Sequence, residues 1–252
     1  MKSIGINQDL YRLNLGRYKN ANNAIKLHSL EIAVDIFEEL NLSSILIFTN
    51  AIIQQSYLEV FISKSKDFFI TSHSEEILKT HNIKNSILGS NLQNINKKFD
   101  FIFLDLTLNF SNDIIKTLNF YEAILNKGGV FIANILGGKT LYELSNIMME
   151  VDLSSNRMIN RMLPKLSSEG VLNLSKSSHF KNTIVMSNEF IEKYISLKDL
   201  IQSLNEIGHI YPMVQPNQPY TTRKYWTLVE ERYKAIYQLQ ASFEILTLFA
   251  VK

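Results

Sequence analysis

The residues most able to do chemistry sit at the ends of apolar runs. Asp105 closes FDFIFLDL (99–106), the clearest strand pattern in the chain. Open α/β sheets bind ligands at the carboxyl ends of their strands, so a carboxylate there is a candidate cofactor or substrate contact. It would serve equally as a helix cap or as half of a salt bridge. Asn134, Gly137 and Gly138 follow the next run, VFIANIL (130–136), at the same edge. Glycines opening a helix either bare N–H groups to an anion or simply permit a tight turn. One turn into the next helical pattern come Tyr142 and Glu143. Glu143 is a general base by type, or a first-turn acid complementing the helix dipole. Arg157 and Arg161, four residues apart, share one helical face if the segment is helical, clamping an acidic partner or lying solvated. The histidines at 28, 73, 81, 179 and 209 show no ligand spacing, so no metal is expected. With no cysteine, disulfides, thiolate metal sites and a cysteine nucleophile are excluded. No local motif suggests a Ser-His-Asp arrangement, and no catalytic residue is assigned.

These residues need elements to hold them, and the sequence supplies an alternation. Residues 20–40 carry an amphipathic helical stripe through Ile25, Leu30, Ile32, Ala33, Ile36, Phe37 and Leu40. SILIFT (44–49) reads as a buried strand that runs through Thr49-Asn50-Ala51 into a helix, IIQQSYLEVFISK. A turn at this place in many α/β proteins is glycine-rich and holds a nucleotide; this one has no glycine. DFFITS (67–72) is a second strand, followed by a helix with Ser74 as N-cap. SILG (86–89) is a third strand, FDFIFLDL a fourth and VFIANIL a fifth. Between the last two, NDIIKTLNFYEAILNKGG predicts a helix capped by Asn112 and stopped at Gly128-Gly129. Strands alternating with helices predict a parallel sheet covered on both faces.

After residue 137 the rhythm changes. Helices are predicted over GGKTLYELSNIMMEVD, SEGVLNLSKSSHF, SLKDLIQSLNEIGH (ended by Gly208) and TTRKYWTLVEERYKAIYQL. KNTIVMSNEF and ASFEILTLFAVK are predicted strands, and the proline-rich YPMVQPNQPY is a loop. Tyr225 and Trp226 fall on the long helix, as core or lid packing. One domain is expected over 1–252: an N-terminal helical region (1–42), a cofactor-type half (43–137), a helical insert and lid (138–180 and 205–238) and a closing strand (240–252).

A chain of 252 residues, 46% of them hydrophobic, can bury a full core without staples. A net charge of +2 is too balanced to argue for nucleic acid or a membrane surface. No run of about 18 apolar residues spans a bilayer. The N-terminus, MKSIGINQDLYRLNLGRYKN, is polar throughout, so a soluble cytoplasmic protein is expected.

This organisation resembles the class I S-adenosylmethionine-dependent methyltransferase fold, a Rossmann-like α/β sheet of seven strands with the last antiparallel and a helical insert or lid. The resemblance narrows at GGVFIANILGGKTLYELSNIMME (128–150), through Gly137, Gly138, Thr140, Leu141, Tyr142, Glu143 and Leu144. That segment looks like the group holding the biotin-synthesis malonyl-carrier-protein methyltransferase and the mitochondrial complex I assembly factor, the latter an arginine hydroxylase. FDFIFLDLTLNFSND (99–113) resembles the same group's fourth strand and loop, with Asn109 where a His-Trp pair begins in the group.

The resemblance implies S-adenosylmethionine as cofactor. Its contacts would fall at Thr49, Asn50 and Ala51 after strand one, Ser72 after strand two, Ser90 after strand three, and Asp105. Asn109, Asn134, Gly137, Gly138, Thr140 and Glu143 would face the substrate, a protein or an acyl carrier. The departures are as specific. Ile47 stands at the strand-one acid, and Thr49, Ala51 and Ile53 at the three glycines. Ser72 stands at the ribose-gripping acid, and a hydroxyl cannot accept both ribose hydroxyls as a carboxylate does. Ile47, Ile52 and Ile53 are large enough to fill part of the pocket below the turn. Weak or absent cofactor affinity is therefore expected. The rival readings are a hydroxylase and a non-catalytic assembly or scaffolding protein on the same fold.

Overall fold

The computed structural model describes residues 23–40, 42–155, 165–207 and 222–252. Arg157, Arg161, His209, Gly208 and the proline-rich loop lie outside them. In chain order the elements are α1 (Ala24–Glu38), β1 (Ser44–Thr49), α2 (Gln55–Ser63), β2 (Asp67–Ser72), α3 (Glu75–His81), β3 (Ser86–Leu88), β4 (Phe99–Asp105), α4 (Ile114–Ala123), β5 (Leu125–Leu136), α5 (Tyr142–Ser154), α6 (Ser168–Lys176), β6 (Asn182–Lys193), α7 (Leu197–Glu206), α8 (Arg223–Tyr237) and β7 (Gln240–Val251). The strands form one seven-stranded sheet in the order β3-β2-β1-β4-β5-β7-β6. β1 to β5 pair in parallel, and β7 runs antiparallel to both β5 and β6. No described helix is long and apolar enough to cross a membrane.

The unbroken apolar runs of β1 and β4 follow from burial on both faces. Ile45, Ile47, Phe101 and Phe103 pack with Leu30, Ala33 and Phe37 of α1 and Leu58 and Phe61 of α2. Leu46, Phe48, Ile102 and Leu104 pack on the other face with Leu118 and Tyr121 of α4 and Val171 of α6. A third cluster joins α5, α7 and α8 to β7 through Leu144, Leu200, Val229, Tyr233 and Phe243, with Tyr225 and Trp226 partly buried against it.

Two predicted boundaries move. The helix predicted to start at Asn112 is capped by Asp113, whose Oδ1 accepts from the Lys116 N–H at 2.9 Å. That helix ends at Ala123, and Gly128-Gly129 lie inside β5, where the pairing with β4 shifts register between Phe99 and Phe101. Gly128 has φ +76° there. Helix ends and strand irregularities both use glycine in left-handed conformations, so the pair was misassigned by residue type. Ser74 does cap α3, accepting from the Ile77 N–H.

The segment from Gly137 to Glu143 is a clasp between the end of β5 and β7. Gly137 N–H donates to the Glu244 carbonyl at 2.8 Å, and Leu141 N–H donates to that of Ser242 at 2.7 Å. Thr140 Oγ1 donates to the Glu244 carbonyl (3.2 Å) and accepts from its N–H (3.1 Å). Glu143, 3% exposed, takes the Ser242 N–H at 3.1 Å on each oxygen, and the Ser242 hydroxyl as well. Glu244 in turn accepts from the Lys139 N–H and the Ser187 hydroxyl. A methyl group on Gly137 would lie 2.3 Å from Glu244 Oε2 and 2.8 Å from Leu246 Cγ, and Glu244 is tethered at both oxygens. At Gly138 the nearest atom would be 3.6 Å away. We expect Gly137→Ala to cost about 1–3 kcal/mol of stability, and Gly138→Ala to stay within about 0.5 kcal/mol. Urea denaturation of the two variants checks the contrast.

Candidate functional site

The sheet reverses its strand order between β1 and β4. In open α/β sheets that reversal opens a crevice beyond the carboxyl ends, where ligands bind. Here the crevice floor is polar. Thr49, Asp105, Asn134 and Thr247 are in-register partners across β1, β4, β5 and β7. Cross-strand partners point to one face of a sheet, so the four side chains form a row.

Helix α1 covers that row with two polar residues of its otherwise apolar buried stripe, Lys26 and Ser29. The Lys26 ammonium pairs with Asp105 Oδ2 and donates to Thr49 Oγ1 at 2.6 Å. Thr49 Oγ1 lies 2.9 Å from Asp105 Oδ2 and 3.0 Å from the Ala51 carbonyl, and takes the Ala51 N–H at 3.2 Å. Ser29 Oγ donates to Asp105 Oδ1 at 2.8 Å and accepts from Asn134 Nδ2 at 3.0 Å. Asn134 Nδ2 also reaches the Ser29 carbonyl, and Asn134 Oδ1 accepts from the Thr247 hydroxyl at 2.7 Å. Every member is 3% exposed or less. Burial pushes the Lys26 ammonium well below the usual lysine range. The carboxylate beside it works the other way.

The turn after β1 is held by side chains, at the place where nucleotide-binding turns of α/β proteins carry bare glycine backbone. Asn50 Oδ1 accepts from the Ser72 hydroxyl (3.2 Å) and the His73 N–H (3.0 Å). Ser72 Oγ accepts from the Ser74 N–H. His81 Nε2 accepts from the Ile53 N–H at 2.9 Å, and its Nδ1 lies 2.8 Å from the Ile77 carbonyl. The ring is therefore neutral, with its proton on Nδ1. Burial pushes its pKa down to about 4.

The structure brings together Thr49, Asp105 and Asn134, with Ala51 bonded to Thr49 through its backbone, and links Asn50 to Ser72 at the neighbouring edge. Asn109 pins the end of β5, exchanging bonds with the Leu136 carbonyl and N–H. Ser90 lies in the short 3-10 turn Gly89–Asn94 after β3. Gly137, Thr140 and Glu143 belong to the clasp on β7, and Gly138 adjoins it. Ile47 and Ile53 pack into the core on the α1–α2 side, and the group that reaches the crevice is Lys26. Lys26, Ser29 and Thr247 are not singled out by the sequence, and His81, weighed there only as a metal ligand, holds the Ile53 N–H instead. A polar residue on an apolar helical stripe was the available signal for Lys26 and Ser29.

Beside the row, between β3, β4 and α4, lies a cleft of about 570 Å³. Phe48, His73, Leu92, Thr107, Phe110 and Lys116 are among its lining residues. Phe48 meets His73 edge to face at 4.9 Å. Thr107, 8% exposed, has a hydroxyl without a hydrogen-bond partner. Leu106, directly after Asp105, takes φ +55° and turns the chain towards this cleft's wall.

Sheet order, the antiparallel β7 and the crevice between β1 and β4 define the fold of the class I S-adenosylmethionine-dependent methyltransferases. No protein-family profile matches the chain. Over 172 residues it is 23% identical to "Putative methyltransferase RP459" of Rickettsia prowazekii (strain Madrid E), covering 67% of this chain and 76% of that protein. Among solved structures it is similar to the YcgJ protein of Bacillus subtilis (TM-score 0.57, 9% identity, 89% of this chain and 98% of that one). It is also similar to a SAM-dependent methyltransferase of Archaeoglobus fulgidus (0.51, 11%, 91% and 95%). A third likeness is to the N-methyltransferase NodS of Bradyrhizobium japonicum WM9, solved with S-adenosyl-l-homocysteine (0.50, 9%, 96% and 98%).

Removing one partner of a buried ion pair leaves an unpaired charge, so Lys26→Met is expected to cost about 3–5 kcal/mol. Removing both charges in Lys26→Met/Asp105→Asn should recover most of that loss. Denaturant melts of the two variants give the comparison. The neutral His81 supplies a second test. Between pH 6.5 and about 4 the unfolded chain protonates this ring and the folded chain does not. Its contribution is full above 6.5 and falls away towards 4, by up to about 3 kcal/mol. His81→Gln should flatten that part of the stability–pH curve relative to the unaltered chain.

Proposed function

We propose that this chain is a methyltransferase-fold protein without methyltransferase activity, which works by engaging a protein or acyl-carrier partner. The observation that carries this reading is the Lys26 ammonium, placed on Thr49 and Asp105 where β1 and β4 part. S-adenosylmethionine brings a sulfonium and an α-ammonium, and a working site of this class meets them with an acid and a bare glycine turn. Here Ile47 stands at the strand-one acid, the strand-four carboxylate of Asp105 is already paired with an internal cation, and the turn carries Thr49, Asn50 and Ala51. Admitting the cofactor's methionyl part requires Lys26 to withdraw and Asp105 to lose its partner. A penalty of about 4 kcal/mol would convert micromolar binding, about −8 kcal/mol, into millimolar. The residues present do not fit that half of the cofactor.

The likeness of 99–113 and 128–150 to the biotin-synthesis and complex I assembly group supports the partner class. A second reading, a working enzyme whose Lys26 moves aside, draws on one observation: the cleft beside the row is open and holds the unpartnered Thr107 hydroxyl.

Isothermal titration with S-adenosylmethionine and S-adenosylhomocysteine decides between them. We expect no saturable heat below millimolar ligand. A micromolar Kd for either compound removes the non-catalytic reading and restores the enzyme.

A further inference from the structure

β6 is the outer strand of the sheet, and none of the described residues pairs with its free edge. It runs for twelve residues, Asn182–Lys193, in unbroken register with β7. It contains no proline and no bulge, two of the devices that blunt an exposed edge, and its charges, Glu189, Glu192 and Lys193, gather in its second half. Large apolar side chains stand exposed in its first half: Ile184 at 60% and Met186 at 38%.

The hydrogen-bonding phase of this edge is fixed. Tyr194 N–H donates to the Leu239 carbonyl in the same register as the strand pair. In an antiparallel pair such bonded positions alternate, so the even-numbered residues of β6 turn their backbone groups to β7. Thr183, Val185, Ser187 and Glu189 therefore present theirs outward.

We propose that two copies of this chain join edge to edge through β6, antiparallel about a two-fold axis at Val185, into one continuous sheet. The strand is self-complementary in that register. Val185 meets the second copy's Val185, in bonded phase. Thr183 meets Ser187, and Asn182 meets Asn188. Exposed Ile184 meets exposed Met186. Lys181, the exposed residue directly before β6 and in no ion pair among the described residues, meets Glu189 in the continued register. Apart from the Val185 pair on the axis, each contact occurs twice, as an isologous interface requires. Cross-strand apolar, hydroxyl and opposite-charge pairs are the contacts that stabilise antiparallel strands. The Lys139–Glu189 pair within one chain leaves the Glu189 carboxylate on the surface, so it can accept a second cation.

The test is the solution mass of the full chain by light scattering after size exclusion, with Lys181→Glu and Glu189→Lys as variants. Both positions are exposed, so neither change disturbs the core. The unaltered chain should run at twice the chain mass at micromolar concentration. Each variant alone places like charges opposite each other twice, and its dimer should dissociate at least tenfold more readily. An equimolar mixture restores opposite charges at both contacts and should recover the dimer. A monomeric unaltered chain overturns the proposal, whatever covers the edge instead. So does a dimer that ignores both variants. Neither result bears on cofactor binding.

Discussion

An ammonium and a carboxylate, both withdrawn from water, hold the carboxyl edge of this sheet together. Lys26 and Asp105 are 1% and 0% exposed in their side chains. Charges so placed are tolerable only with full hydrogen bonding, and the row from Thr49 to Thr247 provides it. The position of α1 follows, because Lys26 and Ser29 must both reach the row. Asn23 fixes the start of the same helix: it accepts the Ile25 and Lys26 N–H groups, and its amide reaches Ser203 of α7. The chemistry of the β1 turn follows as well. Thr49 is needed as acceptor for Lys26, which a glycine cannot be.

The usual arrangement of a ligand-binding sheet edge is reversed here. A nucleotide-binding turn keeps its backbone bare so that a ligand approaches the main chain. This turn is closed by side chains, its own Asn50 reaching β2 and His81 of α3 accepting from the Ile53 N–H. The polar groups that a ligand would satisfy are satisfied internally. Among the described residues the hydroxyls of Ser44, Thr71 and Thr107 stay unmet, and that of Thr107 borders the neighbouring cleft. The clasp at Gly137–Glu143 shows the same tendency. Its conspicuous motif residues spend their polar groups on β7, so a pattern that reads as a substrate-facing loop is also a framework joint.

Strand positions were legible because doubly buried strands write themselves as short apolar runs, whereas the order of the strands is not written in those runs. Asp105, Thr49 and Asn134 were legible as the polar residues closing those runs. Lys26 was not: in a chain with 26 Lys and Arg, a lysine on an amphipathic helix reads as surface. Thr247 hides inside EILTLF, where a β-branched residue is ordinary strand filling. The displacement of the α4 cap by one residue arose because Asn112 and Asp113 are equally good caps, and only backbone geometry chooses. His81 carried no local signal, since its partner Ile53 is 28 residues away.

The polar row also imposes an order on synthesis and folding. Its members come from residue 26 to residue 247, with bonds spanning 76, 105 and 113 residues. Contacts so distant in sequence form late, because their loop closures come before any reward. Until β7 has left the ribosome, Asn134 lacks Thr247 and β5 lacks its antiparallel neighbour. The half-made sheet then exposes a raw edge. Lys26 finds its own partners, Thr49 and Asp105, within the parallel half of the sheet, and β7 completes the row one step further on, through Asn134.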